Sequence, residues 1–233
     1  MQHFLGQDGF IWFIGVVEDR LDPQYMGRVR IRCLGIHTDN KQDLPTADLP
    51  WAMPLLPITS SGISGIGQTP TGLVEGSWVF GFFRDASYMQ EPIVVGSLPG
   101  RPSTAAADGG FNDPNKIFPR HIDEPDNNRL SVNLKDDDGN EINPHLALTL
   151  RRETRITGLA TADFDQTTAA DASAIAASDT DNWDQPAIAY AAQYPNNQVY
   201  ESETGHLLEF DDTLDAERIH LYHKTGSSIE YNP

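Results

Sequence analysis

Cysteine is nearly absent: Cys33 stands alone in 233 residues, so no intrachain disulfide braces the fold and the redox compartment stays undetermined. It sits in an alternating apolar and arginine run, where a small buried hydrophobe fits. Basic residues are scarce as well. Sixteen Lys and Arg against 34 Asp and Glu leave a formal net charge of −18, whose field repels phosphate backbones and anionic headgroups. Nucleic acid and bare membrane are therefore poor default partners. Long apolar runs are missing too. No stretch approaches the roughly 18 residues of a membrane span, and the N-terminus lacks a basic segment followed by an apolar one. The expectation is synthesis in the cytoplasm without a signal peptide. What is abundant is punctuation: 19 Gly and 16 Pro, with 39% hydrophobic residues, describe a turn-rich β protein long enough for one large or two small domains.

Residues 1–100 read as one domain of short strands. Ile11–Val17 is apolar on both faces and must be covered twice, by its own core and by something outside. After a turn at residues 22–27, Arg28-Val29-Arg30-Ile31-Arg32-Cys33 alternates, which turns Val29, Ile31 and Cys33 inward and Arg28, Arg30 and Arg32 outward. Trp51–Ile58, Gly76–Arg84 and Pro92–Leu98 supply three more strands, and five strands suit an OB-type barrel. The Ser/Gly/Thr-rich Thr59–Gly76 reads as a long exposed loop. Residues 101–182 form an extended, irregular, low-complexity linker. Phe111–Arg120 keeps three apolar anchors there, and Leu130–Leu150 offers a hairpin around Asp138-Gly139. Ala160–Asp181 is nearly all Ala, Thr, Asp and Ser, with too little apolar surface to offset the entropy of ordering it.

Order returns over residues 183–233 as a three-stranded meander. His206, Leu208 and Phe210 share one strand face, Ile219 and Leu221 another, Ile229 and Tyr231 a third. An apolar layer this thin, with no cysteine to staple it, needs self-association to be stable.

Chemistry-bearing patterns are few. Three arginines on an OB strand face suit nucleic acid, but the net charge opposes that and leaves a solvated face or contact with a partner or an acidic loop. His220 and His223 are an odd number of residues apart and so lie on opposite strand faces, unable to chelate together. His206 alone has the option of a threefold ring in a trimer. Asp136-Asp137-Asp138-Gly139-Asn140 resembles a calcium loop fragment, yet positions six and twelve hold Glu141 and Ala147 where Gly and Glu are required. Glu209-Phe210-Asp211-Asp212-Thr213 reads as a strand end and turn rather than an acid pair. Thr59–Gly76 lacks the Gly-Lys-Ser/Thr of a phosphate cradle, and Ser60 and Ser61 have no nearby histidine. Neither a catalytic residue, a metal nor a cofactor is expected.

Two stretches carry a family resemblance. The first comprises Trp12-Phe13-Ile14-Gly15-Val16-Val17-Glu18-Asp19-Arg20-Leu21-Asp22-Pro23, Gly27-Arg28-Val29-Arg30-Ile31-Arg32, Leu49-Pro50-Trp51, Pro57-Ile58-Thr59, Ser64-Gly65-Ile66-Gly67 and Val74-Glu75-Gly76. The second comprises Tyr194-Pro195, Glu201-Ser202-Glu203-Thr204-Gly205-His206, Glu209-Phe210-Asp211-Asp212-Thr213, Glu217-Arg218-Ile219 and Thr225-Gly226. Together they resemble the central spike proteins of T-even-type contractile phage tails and, more distantly, the valine-glycine repeat spikes of type VI secretion.

The resemblance implies an all-β chain in which an N-terminal OB-fold docks on a trimeric tail hub and a C-terminal intertwined β-prism base builds a homotrimeric spike. It places the protein in the virion tail baseplate, piercing the host envelope on sheath contraction through transient contact with the outer envelope. Trp12, Phe13, Ile14, Arg28, Arg30 and Arg32 are then expected at the hub or at a sister chain. Leu208, Phe210, Ile219, Leu221 and Ile229 are expected in the trimer core. The pattern departs from the family in the interval from Arg101 to Asn182, too short and too low in complexity for the lysozyme domain that T-even-type spikes carry there. A structural spike is accordingly favoured over the alternative, a tail-associated peptidoglycan-degrading enzyme. The family's prism also usually runs beyond the position of Pro233, so a separate tip protein is expected.

Overall fold

Five strands close into a barrel: β1 (Ile11–Asp19), β2 (Val29–Cys33), β3 (Trp51–Pro54), β4 (Trp78–Phe83) and β5 (Pro92–Ser97), in the order β1-β2-β3-β5-β4. The computed structural model describes residues 10–101, 103, 125–132, 190–223 and 228–232. The chain divides into two compact units, Met1–Asp126 and Asn127–Pro233. In the barrel every pairing is antiparallel except β3 with β5, the Greek-key closure of an OB-fold. The nine-residue β1 serves two partners, β4 along Ile11–Val16 and β2 along Gly15–Asp19. A bulge between Val17 and Asp19 supplies the bend that this requires. Alternation carries Phe13, Val17, Val29, Ile31, Cys33, Val79, Phe83 and Val94 into one core. Gly81, opposite Phe13, is needed for the close approach: a Cβ there would lie 2.2 Å from the Ile93 carbonyl oxygen and 2.5 Å from Phe13 Cζ.

β3 is shorter than the expected Trp51–Ile58. It ends at Pro54, because Pro54 and Pro57 have no N–H to continue a ladder, although Leu55 N still donates to Val94 O at 2.8 Å. The expected loop after it holds one small bridge, between Ile63 and Ile66.

The second unit is a four-stranded antiparallel sheet, β6 (Asn197–Glu201), β7 (Leu207–Asp211), β8 (Arg218–Tyr222) and β9 (Ser228–Tyr231), in sequential order. The meander thus has one strand more than expected. Asn197-Gln198-Val199-Tyr200-Glu201 has too few apolar residues to advertise itself. A single-turn helix, α1 (Arg129–Val132), packs against β6, and Leu130 joins Leu207 and Tyr222 in a small core flanked by Tyr190 and Val199. This corrects the hairpin reading at its start: Leu130 is a plug under the sheet rather than a strand residue. Asp136–Asn140, Phe111–Arg120 and Ala160–Asp181 lie outside the described residues.

Candidate assembly interface

The C-terminal sheet is inside out for a free-standing domain. Strand register aligns Tyr200, Leu208, Leu221 and Ile229 in one row and Phe210, Ile219 and Tyr231 in the next, all on one face. That face is open: exposure runs from 39% at Phe210 to 68% at Tyr231, and Leu208 is half-buried. All five residues expected in a trimer core stand on it. A contiguous apolar surface of this kind marks an interaction site. β6 and β9 are the edge strands, each with one neighbour in the sheet.

The opposite face is buried and mixed: Leu207 and Tyr222 meet Leu130 at one end, and the rest is polar. Glu209, 1% exposed, is the hub. Its Oε1 accepts from Arg218 Nη2 at 2.7 Å and Asn197 Nδ2 at 3.0 Å, and His220 Nδ1 sits 2.7 Å from its Oε2. Burial pushes the Glu209 carboxyl upward, but the hydrogen bonds from His220 and Asn197 and the charge of Arg218 outweigh it and hold the group below its ordinary range. Glu230 on β9 adds a second acid, 3.7 Å from Arg218 Nη1. Asp211 accepts from the Thr213 amide at 3.0 Å and from its hydroxyl at 2.6 Å, the turn-forming role read from the sequence. Sequence reasoning missed the Glu209 network, because a Glu, an Arg and a His on adjacent strands reveal their pairing only once register is known.

In the barrel, the outer face of β1 and β4 carries a second apolar surface. Trp12 pairs with Phe82 and Ile14 with Phe80 across the strands. Phe10 stacks at 5.6 Å on Phe82, and Trp12 at 6.0 Å on Phe80. Trp12 is 55% exposed. Phe13 corrects the expectation: strand alternation turns it inward, and at 2% exposure it belongs to the barrel core, packed on Phe83 with ring centroids 5.0 Å apart. It has no side-chain surface for a hub.

The arginines are corrected as well. Arg32 points away from the barrel core, yet it is 0% exposed. Its Nε and Nη2 grip the two oxygens of Glu18 at 2.6 and 3.1 Å, and the carbonyls of Thr38 and Leu44 accept from Nη1 and Nη2. The segment after β2 thus covers this strand face itself. Arg28 donates from Nη2 to Asp22 Oδ1 at 2.6 Å and lies over the Trp51 ring at 5.5 Å. Its guanidinium holds the Asp22 carboxyl well below the usual carboxylate range, against a smaller upward push from burial and with help from backbone N–H groups. Arg30 stacks on Trp51 at 4.5 Å and donates to Thr46 O. The three arginines fasten the barrel's own loops, and of the residues expected at a hub only Trp12 and Ile14 are on the open aromatic surface.

His220 and His223 fall on opposite faces as expected: His220 is buried with Glu209, whereas His223 is exposed and its ring lies 4.4 Å from that of His206. Among the described residues, no three His, Cys, Asp or Glu side chains group as metal ligands.

A family model described as the Gp5 N-terminal OB domain matches residues 35–198, from just past β2 to the second residue of β6. Protein Gp5 of Vibrio phage KVP40 is 40% identical over 253 aligned residues, which take in 99% of this chain and 57% of that protein. The pre-baseplate central spike protein Gp5 of Enterobacteria phage T4 is 42% identical over 120 residues, 48% of this chain and 20% of its own length. The chain therefore spans little more than half of one relative and aligns with a fifth of the other.

Proposed function

Since the chain belongs to the Gp5 N-terminal OB domain family, we propose that it is a structural central spike protein of a contractile tail baseplate. In this reading it works as a homotrimer that docks on the tail hub through the barrel and pierces the host envelope through an intertwined C-terminal prism. One observation carries the reading: the C-terminal sheet buries its charged face and leaves its apolar face open. Fully burying a large apolar side chain contributes about 1.5–3 kcal/mol. Tyr200, Phe210, Ile219, Leu221, Ile229 and Tyr231 are each roughly half exposed, so covering them contributes about 1 kcal/mol apiece, roughly 18 kcal/mol over three chains. Joining three chains takes two associations, each costing roughly 4–15 kcal/mol in lost freedom, so this burial is of the same order as the cost. Edge strands pairing between chains would add continuous hydrogen bonds along the shaft, which gives it stiffness under axial load.

The aromatic surface of Phe10, Trp12, Ile14, Phe80 and Phe82 is the proposed hub contact. The role requires no chemistry, and the acids support that. A glycosidase acid needs a raised pKa in an apolar pocket, whereas among the described residues the buried Glu18 and Glu209 each face an arginine, at 2.6 and 2.7 Å, and are held below the ordinary carboxylate range. Light scattering on the purified full chain tests the proposal. Three-copy mass is expected, with Phe210→Asp giving single-copy mass. A wild-type monomer at micromolar concentration would refute the trimer, and an unchanged trimer in the variant would refute the assignment of this face to its core.

A further inference from the structure

The surface loop between β3 and β4 is built to display isoleucine. No charged residue occurs from Leu49 to Val74, in a chain where 21% of residues are charged. Ile58, Ile63 and Ile66 project from this stretch, each about two-thirds exposed or more. Its tip is rigid. Ile63 and Ile66 form a bridge, the Ile66 amide donating to Ile63 O at 3.0 Å. Between them Ser64 and Gly65 both take the left-handed conformation, at φ 55 and 72, as a two-residue mirror-image turn requires. The Ser61 hydroxyl donates to Ile66 O at 2.5 Å, and the buried Ser60 oxygen accepts from the Gln68 amide at 2.8 Å. Gly67, at φ +103, lets Ser60 close in: an added Cβ would sit 2.4 Å from its Oγ. A tip that served only to reverse the chain would carry polar residues.

We propose that this loop is a barrel-to-barrel contact, with Ile58, Ile63 and Ile66 docking on the barrel of a second copy of this chain. The inference rests on the trimer reading and extends it to the N-terminal unit. Charge selects the occupant. Residues 10–101 hold nine acids and seven bases, 9 − 7 leaving −2 of the chain's −18. Five of those acids are matched within the barrel: Glu18 with Arg32, Asp19 with Arg30, Asp22 with Arg28, Glu75 with Arg20 and Glu91 with Arg84. Two barrels therefore repel one another only weakly, and an uncharged finger meets a nearly neutral partner. A landing surface is present on the same barrel: Leu21 and Tyr25, both at least four-fifths exposed, occupy the β1–β2 turn, which Asp22 fixes by accepting from the Gln24 and Met26 amides. Copies joined through their C-terminal sheets hold their barrels at high effective concentration, so the finger meets a sister barrel before any free solute. The contact is heterologous, finger against turn, as a threefold ring demands.

The test places a benzophenone-bearing phenylalanine at position Ile63 of the full chain and illuminates the purified protein. Bands at two and three copies are expected, with cross-linked peptides mapping to residues 10–101 of another copy, and none from the same probe at the exposed Ser87. Introducing Ile66→Asp alongside the probe should lower the cross-linked fraction at least tenfold while light scattering still reports three copies. Three-copy mass without intermolecular cross-links overturns the loop contact and leaves the trimer standing, whereas single-copy mass overturns both. Flotation of the chain with phosphatidylglycerol vesicles, lost in Ile63→Asp, would assign the finger to lipid instead.

Discussion

Replacing Arg32 by methionine tests whether the barrel's outer face is held by its own buried ion pair. Methionine keeps most of the stem volume and removes the guanidinium, so the loss is electrostatic rather than a cavity. Glu18 would be left in the interior with the Thr46 hydroxyl at 2.7 Å and Lys41 Nζ at 3.8 Å, and the carbonyls of Thr38 and Leu44 would lose their donor. Breaking a buried pair on one side costs about 3–5 kcal/mol. For a domain of this size, about 4–8 °C of melting temperature is lost per kcal/mol, so the barrel transition should fall by roughly 12–40 °C. Urea unfolding followed by tryptophan fluorescence reads it through Trp51, which lies under Arg28 and Arg30. The double variant Glu18→Gln with Arg32→Met removes the stranded charge and should recover part of the loss. Acid sharpens the test. Burial pushes Glu18 up, but hydrogen bonds from Arg32 and Thr46 and the charges of Arg32 and Lys41 prevail, so its folded pKa lies below the ordinary 4.5. Its contribution is present above that value and is lost as pH falls through the folded pKa. The gap between wild type and Arg32→Met should therefore narrow at low pH. A loss under about 1 kcal/mol, the range of an exposed pair, or a double variant no more stable than the single one, would refute the reasoning.

Burial pushes the Cys33 thiol up to about 12, so the native chain should resist Ellman's reagent at about pH 8 and titrate one thiol once unfolded; rapid native labelling would contradict the core assignment. Gly81→Ala forces a Cβ against Ile93 O and Phe13 and should cost about 1–3 kcal/mol by overpacking, read as a lower urea midpoint; an unchanged midpoint would contradict the packing. Glu209→Gln strands Arg218 beneath the sheet with Glu230 at 3.7 Å and should lower the stability of the C-terminal unit by about 3 kcal/mol near neutral pH. Because the Glu209 carboxyl is held below its ordinary 4.5, the wild type gains its advantage above that pH and loses it as pH falls through the folded pKa. Melting curves across acid pH should therefore converge, and parallel curves would count against the network.

How much of the molecule was legible depended on whether a residue's partner lies in its own strand or across the fold. The barrel strands and the apolar row of the C-terminal sheet follow from period-two alternation, a property of consecutive residues, and Leu208, Phe210, Ile219, Leu221 and Ile229 all stand where alternation puts them. Alternation also names two faces without saying which is covered. Arg32 was read as outward, which is true of the strand, and as available, which is not, because Thr38, Leu44 and Thr46 return over it from residues that carry no periodic signal. Phe13 was grouped with Trp12 and Ile14 although its parity differs from theirs, so the pattern already contained that correction. The C-terminal sheet presents the reverse case. Glu209 was read as part of a strand end and turn and His220 as half of a metal pair that cannot form, and only register shows Glu209, Arg218 and His220 satisfying one another. Burying that face while leaving the apolar one open makes no sense for a solitary chain. It becomes consistent when the open face is the inside of something larger, since the ionic layer then fixes which side turns outward and forbids the flipped sheet that would hide the hydrophobic row within one copy.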